Sequence, residues 1–276
     1  MDPPDRTIVV ASFNVHAGID GWGRSWDLTG AVRRLDADVI VLQEVWWPDG
    51  RTSMATEVGE ALGYRVLEHP LAAGRRASPH PRATSRWMRP LDWRGTAHAL
   101  YLDSERAIGR PARASERYAT AERGRWGLAV LSRLPVLEHR VIQLGRLPRD
   151  RVTRAVLVAA VEAHGADVLV AGTHMSHLTY GSPLQFIRLG RALRGPTAGR
   201  PAVLAGDMNL WGPPASLLLP GWHRAVSGRT WPAWRPHSQV DHLFVKGPLV
   251  PTAADVLPDW GSDHRAVRAT LTLARR

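Results

Sequence analysis

Four apolar runs in this chain stop abruptly on side chains that can bind a cation or move a proton. VVASFNVH reaches Asn14, VIVLQE ends on Glu44, VLVAGTHMSH reaches His174, and AVLAGDMN ends on Asp207 and Asn209. Asn14, Glu44, Asp207, Asn209 and the later Asp263 are hard oxygen ligands. Magnesium and manganese prefer such donors, usually a few carboxylates completed by water and substrate phosphate. Zinc would call for thiolate or closely spaced histidines. The chain has no cysteine and no HxxxH spacing, and His174 with His177 in HMSH is a weak metal signal. Taken singly, each group has a plainer role. A glutamate after a strand can pair at a sheet edge, GDMN can form a turn, and SDH can cap a helix. Their joint occurrence at strand ends points to a pocket, because ligand-facing groups gather at such ends in α/β sheets.

The elements that must position these groups follow from periodicity. Thr7 to His16 reads as a strand. LTGAVRRLDADVIVLQE reads as a short helix and then a buried strand, and TSMATEVGEALGY as a helix closed by Gly63. GLAVLSRLPV, TRAVLVAAVEA and ADVLVAGTHMSH are strand-like runs. SPLQFIRLGRALRG reads as a helix capped by Ser182, with Pro183 in its first turn and Gly195 at its stop. Leu184, Ile187 and Leu193 are expected to share its buried side. PAVLAGDMNL is a further strand. The alternation gives an α/β class. No linker or repeat divides the chain, so residues 1–276 are expected to form one domain.

Residues 74–125 break the pattern. This stretch holds twelve arginines against five acidic residues, with Trp87 and Trp93 inside it and Trp126 just after. It reads as a basic insertion, either a functional loop or a solvated surface excursion. The whole chain has 276 residues and a formal net charge of +11, and Lys246 is its only lysine. Arginine for lysine fits a coding bias, but the excess of cations favours a phosphate-bearing partner. Absent cysteines suit a reducing compartment, no apolar run reaches the ~20 residues of a membrane span, and the start lacks a signal-peptide pattern. The expectation is a soluble, cytoplasmic protein.

Read together, SFNVH, VIVLQE, RWGLAVLSRLPV, GTHMSH, LAGDMNL, QVDHLFV and SDHRAV resemble the endonuclease/exonuclease/phosphatase superfamily, the DNase I-like group, from about Thr7 to Leu273. The resemblance implies a four-layer α/β sandwich, with two facing, mostly antiparallel sheets and helices outside. It makes Glu44 the principal metal ligand with Asn14, and Asp263 a second metal-associated carboxylate. Asp207 and Asn209 are similar to the pair that positions water and phosphate. His264 is similar to the general base, Asp241 to the carboxylate that orients it, and His174 to a histidine on the phosphate. Arg154 falls at an arginine position of the family, which makes it an expected substrate-binding residue. GLAVLSRLPV and His174 resemble the phosphodiesterase and sphingomyelinase branch more than the apurinic endonucleases.

The chemistry implied is metal-dependent phosphodiester hydrolysis with Mg or Mn. A divalent ion offsets charge building on the phosphate, and a histidine titrating near neutrality deprotonates water. The arginine and tryptophan content favours a nucleic acid, with arginines on phosphates and aromatics on bases. The same composition suits an anionic membrane surface, which keeps a lipid or small-molecule phosphoesterase as the alternative. An inactive binding module would lack core residues, and none is missing. Trp46 and Trp47, next to Glu44, are expected to serve the substrate at the site's rim, with packing against a loop as the plainer role.

Overall fold

The Val, Ile, Leu and Ala runs become strands, and the amphipathic stretches between them become the helices that cover those strands. The computed structural model describes residues 6–20, 25–76, 100–102, 122–148, 150–178 and 181–274. Most of the basic stretch 74–125 lies outside these. One sheet contains β1 (Thr7–Asn14), β2 (Val39–Pro48), β3 (Arg65–Arg76), β4 (Leu100–Leu102), β5 (Glu122–Ser132), β12 (Leu249–Val256) and β13 (Val267–Leu273), in the order β12-β13-β1-β2-β5-β3-β4. The other contains β6 (Val136–Gly145), β7 (Arg154–Ala163), β8 (Ala166–His174), β9 (Ala202–Asp207), β10 (His223–Arg224) and β11 (Asp241–Lys246), in the order β10-β11-β9-β8-β7-β6.

Each sheet is antiparallel except at one pair, β1 with β2 and β8 with β9. Parallel neighbours require a crossover, and a helix supplies each one. α1 (Leu28–Leu35) links β1 to β2, and α3 (Ser182–Arg194) links β8 to β9. α2 (Met54–Leu62) and α4 (Gly212–Leu218) complete the outer layers. Alternate strand residues divide among three cores. Val10, Val41, Val130, Val170 and Leu243 fill the space between the sheets. Phe13, Ile40 and Leu131 pack under α1 and α2, and Leu169, Leu204 and Phe244 pack under α3 and α4. The result is the expected four-layer sandwich, helix on sheet on sheet on helix. Gly172 marks the close approach of the two sheets, because a Cβ there would lie 2.6 Å from Val41 Cγ1.

Local chemistry sets the helix ends. Asp27 Oδ1 accepts from Gly30 N at 2.7 Å to start α1, and Ser53 Oγ accepts from Thr56 N at 2.9 Å to start α2. Gly63, at φ 73°, ends α2. Two expectations for α3 are corrected. Gly181 is its N-cap, and Ser182 is its first helical residue, with a buried Oγ that has no partner among the described residues. Phe186, Leu189 and Leu193 form the inward stripe. Leu184 and Ile187 lie outside that stripe and are 49% and 43% exposed. Steps of three and four from Leu184 lead through Ile187 to Arg191 and Arg194, so the helix carries a second, outward stripe.

Candidate active site

Strand register assembles the site. In the parallel pair, His174 at the end of β8 lies beside Asp207 at the end of β9. Across the antiparallel pair, Asp207 faces Asp241, the first residue of β11. Three neighbouring strands therefore present His174, Asp207 and Asp241 in one row. Gly206 permits this spacing. It sits at φ 150°, and a Cβ there would lie 1.9 Å from Thr173 O.

The opposite sheet contributes through a bulge. β2 pairs with β5 in regular register until a shift between Gln43 and Val45. Glu44 is the extra residue, held at φ 58°. A bulge re-aims one side chain without moving the rest of the strand. Gln43 stays inside, donating from Nε2 to Ser12 Oγ at 3.1 Å, while Glu44 turns into the cavity. Asn14 then joins the sheets. Its Nδ2 donates to Glu44 Oε1 and to Asp207 Oδ2, each at 3.1 Å. Its Oδ1 accepts from His16 N at 3.1 Å, and its carbonyl accepts from Ser262 Oγ at 2.6 Å.

His264 stands over this row. Its Nδ1 is 2.9 Å from Asp241 Oδ2, and its Nε2 is 3.7 Å from Asp207 Oδ2. His174 Nε2 lies 3.5 Å from Asp207 Oδ2 and 3.2 Å from Asn209 Nδ2. Asn209, at φ 49°, donates its backbone N–H to Asp207 Oδ1 at 2.9 Å and its Nδ2 to Met175 O at 3.0 Å. A cavity of about 350 Å³ opens onto Glu44, His174, Asp207, Asn209 and His264.

Burial and charge compete strongly here. Burial pushes the Asp207 carboxyl up to about 7; His264 pulls it down, while Asp241 and Glu44 add to the rise. Burial alone would depress His264, but the Asp241, Asp263 and Asp207 carboxylates hold it well above its ordinary 6.5. Burial, with Arg154 and His264 nearby, holds His174 well below the same value, so it is the neutral imidazole of the pair.

The donor set fits a hard divalent cation. Asp207, Asp241 and His264 offer ligand atoms within 4.8 Å of one another, and Glu44 is linked to Asp207 through the single Asn14 nitrogen. Of the other expected ligands, Asn14 lies between Glu44 and Asp207. Asn14 turns its nitrogen, not its oxygen, toward the carboxylates, and so spaces and braces them. Asp263 is buried behind His264, with Oδ1 3.8 Å from His16 Nδ1.

The expected substrate groups also move. Trp46 is fully buried against Ala17, Trp126 and Val152, and its Nε1 donates to Glu122 at 3.0 Å. Trp47 is buried under the helices, and its Nε1 donates to Glu68 at 3.2 Å. After the bulge both residues point into cores, so neither is at the rim. Arg154 is buried too. Its Nε donates to Asp150 Oδ2 at 2.9 Å and one Nη to His174 O at 3.3 Å, which fixes the β8 end and keeps Arg154 off the cavity surface. Asp150 also accepts from Ser176 Oγ, and Trp126 packs on the His174 ring at 5.1 Å. His242 is structural as its strand parity implies, with Nε2 2.9 Å from Leu210 O. The aromatic rim is instead Trp211 and Trp231, with His237. Sequence reading missed these; the signal available was Trp211 two residues after Asn209. His16 was missed as well, although it follows Asn14 by only two residues.

Comparisons with known proteins agree with this fold. The chain is 26% identical to the uncharacterized protein YbhP of Escherichia coli (strain K12), covering 98% of this chain and 100% of that one. An endonuclease/exonuclease/phosphatase from Beutenbergia cavernae DSM 12333 superposes with a TM-score of 0.61 at 22% identity, over 98% of this chain and 72% of that one. The human nocturnin catalytic domain, solved with a bound sulfate anion, superposes with a TM-score of 0.63 at 16% identity, over 98% and 96%. These structural likenesses establish a shared DNase I-like sandwich. The family model for the Endonuclease/Exonuclease/phosphatase family matches residues 11–264, which include every strand-end group described above, and the chain belongs to that family of phosphoester hydrolases.

Proposed function

We propose that this protein is a magnesium-dependent phosphodiesterase in which His264 activates water. The observation that carries this reading is the line from Asp241 through His264 to Asp207. Asp241 Oδ2 accepts at Nδ1, 2.9 Å away, which fixes the tautomer and leaves Nε2 to take a proton on the cavity side. Asp207 and Asn209 position the water and the scissile phosphate. Neutral His174, its backbone carbonyl held by Arg154, donates from Nε2 to a phosphate oxygen as charge develops. Glu44, with Asp207 beside it, would hold the ion, and Asn14 keeps the two carboxylates apart. Such an ion would neutralise phosphate oxygens, lower the pKa of water and oppose the charge on His264.

Nucleic acid is the substrate favoured by the net charge of +11 and the arginine-rich stretch 74–125. A lipid phosphodiester is the second reading. It is supported by exposed Leu178 and Trp211 at the cavity, at 38% and 53%. The test is hydrolysis of plasmid DNA, RNA, sphingomyelin and phosphoinositides side by side, with magnesium and with chelator. Wild type is expected to act only with the cation. Glu44→Gln should lose activity and bind magnesium more weakly while keeping its circular dichroism. Near wild-type turnover in Glu44→Gln would remove that residue from the site, and activity on lipid alone would overturn the nucleic-acid reading.

A further inference from the structure

The outward stripe of α3 has no role in the site, and among the described residues nothing covers it. Leu184 and Ile187 are 49% and 43% exposed, and Leu217 in the last turn of α4 is 84% exposed. Trp211 immediately precedes α4, and Leu178 lies on the segment leading to α3. Among the described residues, these make up five of the eight large hydrophobic side chains that face solvent. Ile187 and Leu217 line a groove of about 460 Å³ between the two helices, and Leu178 and Trp211, on the segments that lead into those helices, line the active cavity.

The charge on this face has one sign. Arg191 and Arg194 continue the Leu184–Ile187 stripe along α3, and Lys246 joins them in the groove. Between Asp167 and Asp241 the chain has seven arginines, and its only acidic residue is the buried Asp207. An apolar patch of this kind marks an interaction surface. A nucleic acid would satisfy the arginines but offers little to bury leucine and isoleucine. An anionic bilayer satisfies both: apolar side chains enter the headgroup boundary, arginines meet lipid phosphates, and tryptophan sits at the interface.

We infer that the α3–α4 face docks onto an anionic phospholipid membrane, with Leu184, Ile187 and Leu217 inserted and Arg191 and Arg194 against the headgroups. This goes beyond the reading of the active site and holds whichever phosphodiester is cleaved. Docking there sets the cavity mouth, with Leu178 and Trp211, beside the lipid surface.

Sedimentation of the full chain with vesicles tests it without reference to catalysis. Binding is expected to phosphatidylcholine mixed with phosphatidylglycerol, and not to phosphatidylcholine alone. Ile187→Glu with Leu217→Glu should lower the bound fraction about ten-fold or more, since each places a charge where a side chain must insert. Hydrolysis of soluble bis(4-nitrophenyl) phosphate should be unchanged in that variant. Leu217→Asn alone, at a side chain already in solvent, gives a milder version that keeps the fold. Leu137→Glu with Val141→Glu, on the edge strand β6, is the matched control and should bind as wild type. The inference is overturned by no binding to anionic vesicles, by equal loss in the β6 control, or by unchanged binding in both α3–α4 variants. It is also overturned if the same substitutions abolish binding of a single-stranded oligonucleotide and leave vesicle binding intact.

Discussion

At the scale of single residues, the site works by opposing burial with charge. His264 is as buried as a core residue, yet three carboxylates keep its pKa above the ordinary 6.5. A base must be unprotonated to act, so kcat/KM is expected to fall along an acid limb as pH drops through the pKa of His264, which a bound cation would lower from its raised value in the metal-free protein. Asp241 is the first of the charges that raise it. Asp241→Asn should therefore move the limb to lower pH and cut the rate by about 10²- to 10⁴-fold. A pH–rate profile that loses rate but keeps its limb would remove Asp241 as the partner. Trp46 belongs to the opposite class. Trp46→Ala empties a closed site and should cost about 3–5 kcal/mol in denaturant unfolding, with KM unchanged in the folded fraction.

At the scale of elements, two neighbouring positions on β11 show how strand parity separates function from support. Asp241 points to His264, while His242 points outward to Leu210 O. Burial drives His242 down to about 4. Above 6.5 the imidazole is neutral in both folded and unfolded chains, so its full contribution is present. As pH falls from 6.5 toward 4, the unfolded chain takes a proton that the folded one refuses, and about 3 kcal/mol is lost. His242→Gln keeps a donor for Leu210 and should flatten this part of the stability curve, read from urea midpoints across that range. The β8–β9 pair is equally specific. Gly206→Ala puts a methyl 1.9 Å from Thr173 O and must part His174 from Asp207. Melting temperature and activity are expected to fall together, with a loss of about 2 kcal/mol or more. Normal stability in that variant would show that the strands yield without cost.

At the scale of the whole molecule, charge and topology act over longer distances. Two crossovers place helices on the outer faces, and the strand ends from both sheets meet at Asn14. The net charge of +11 is a field, not a contact. If nucleic acid is the substrate, replacing several arginines between Arg75 and Arg125 by neutral residues should raise KM and flatten its dependence on salt. An unchanged salt slope would leave that stretch as solvated surface.

Much of this was legible in the chain itself. Alternating strand and helix periods gave the α/β class, and polar groups at the ends of apolar runs named Glu44, His174, Asp207 and Asn209 as a set. Those readings rest on local patterns, which a sequence carries directly. What local patterns do not carry is direction. An extra residue at Glu44 reverses what Trp46 and Trp47 face, and a bulge has no period to read. The phase of α3 depends on which side meets its sheet, so Leu184 and Ile187 fit an inward stripe in the sequence although Phe186 and Leu189 hold that place. Arg154 is an expected substrate group, but Asp150, four residues away, binds it beneath His174. The sequence by itself determined which chemical groups this protein has and that they sit at strand ends. Only the tertiary structure decided which of them face the same cavity, because that depends on register and packing between segments nearly two hundred residues apart, as between Asn14 and Asp207.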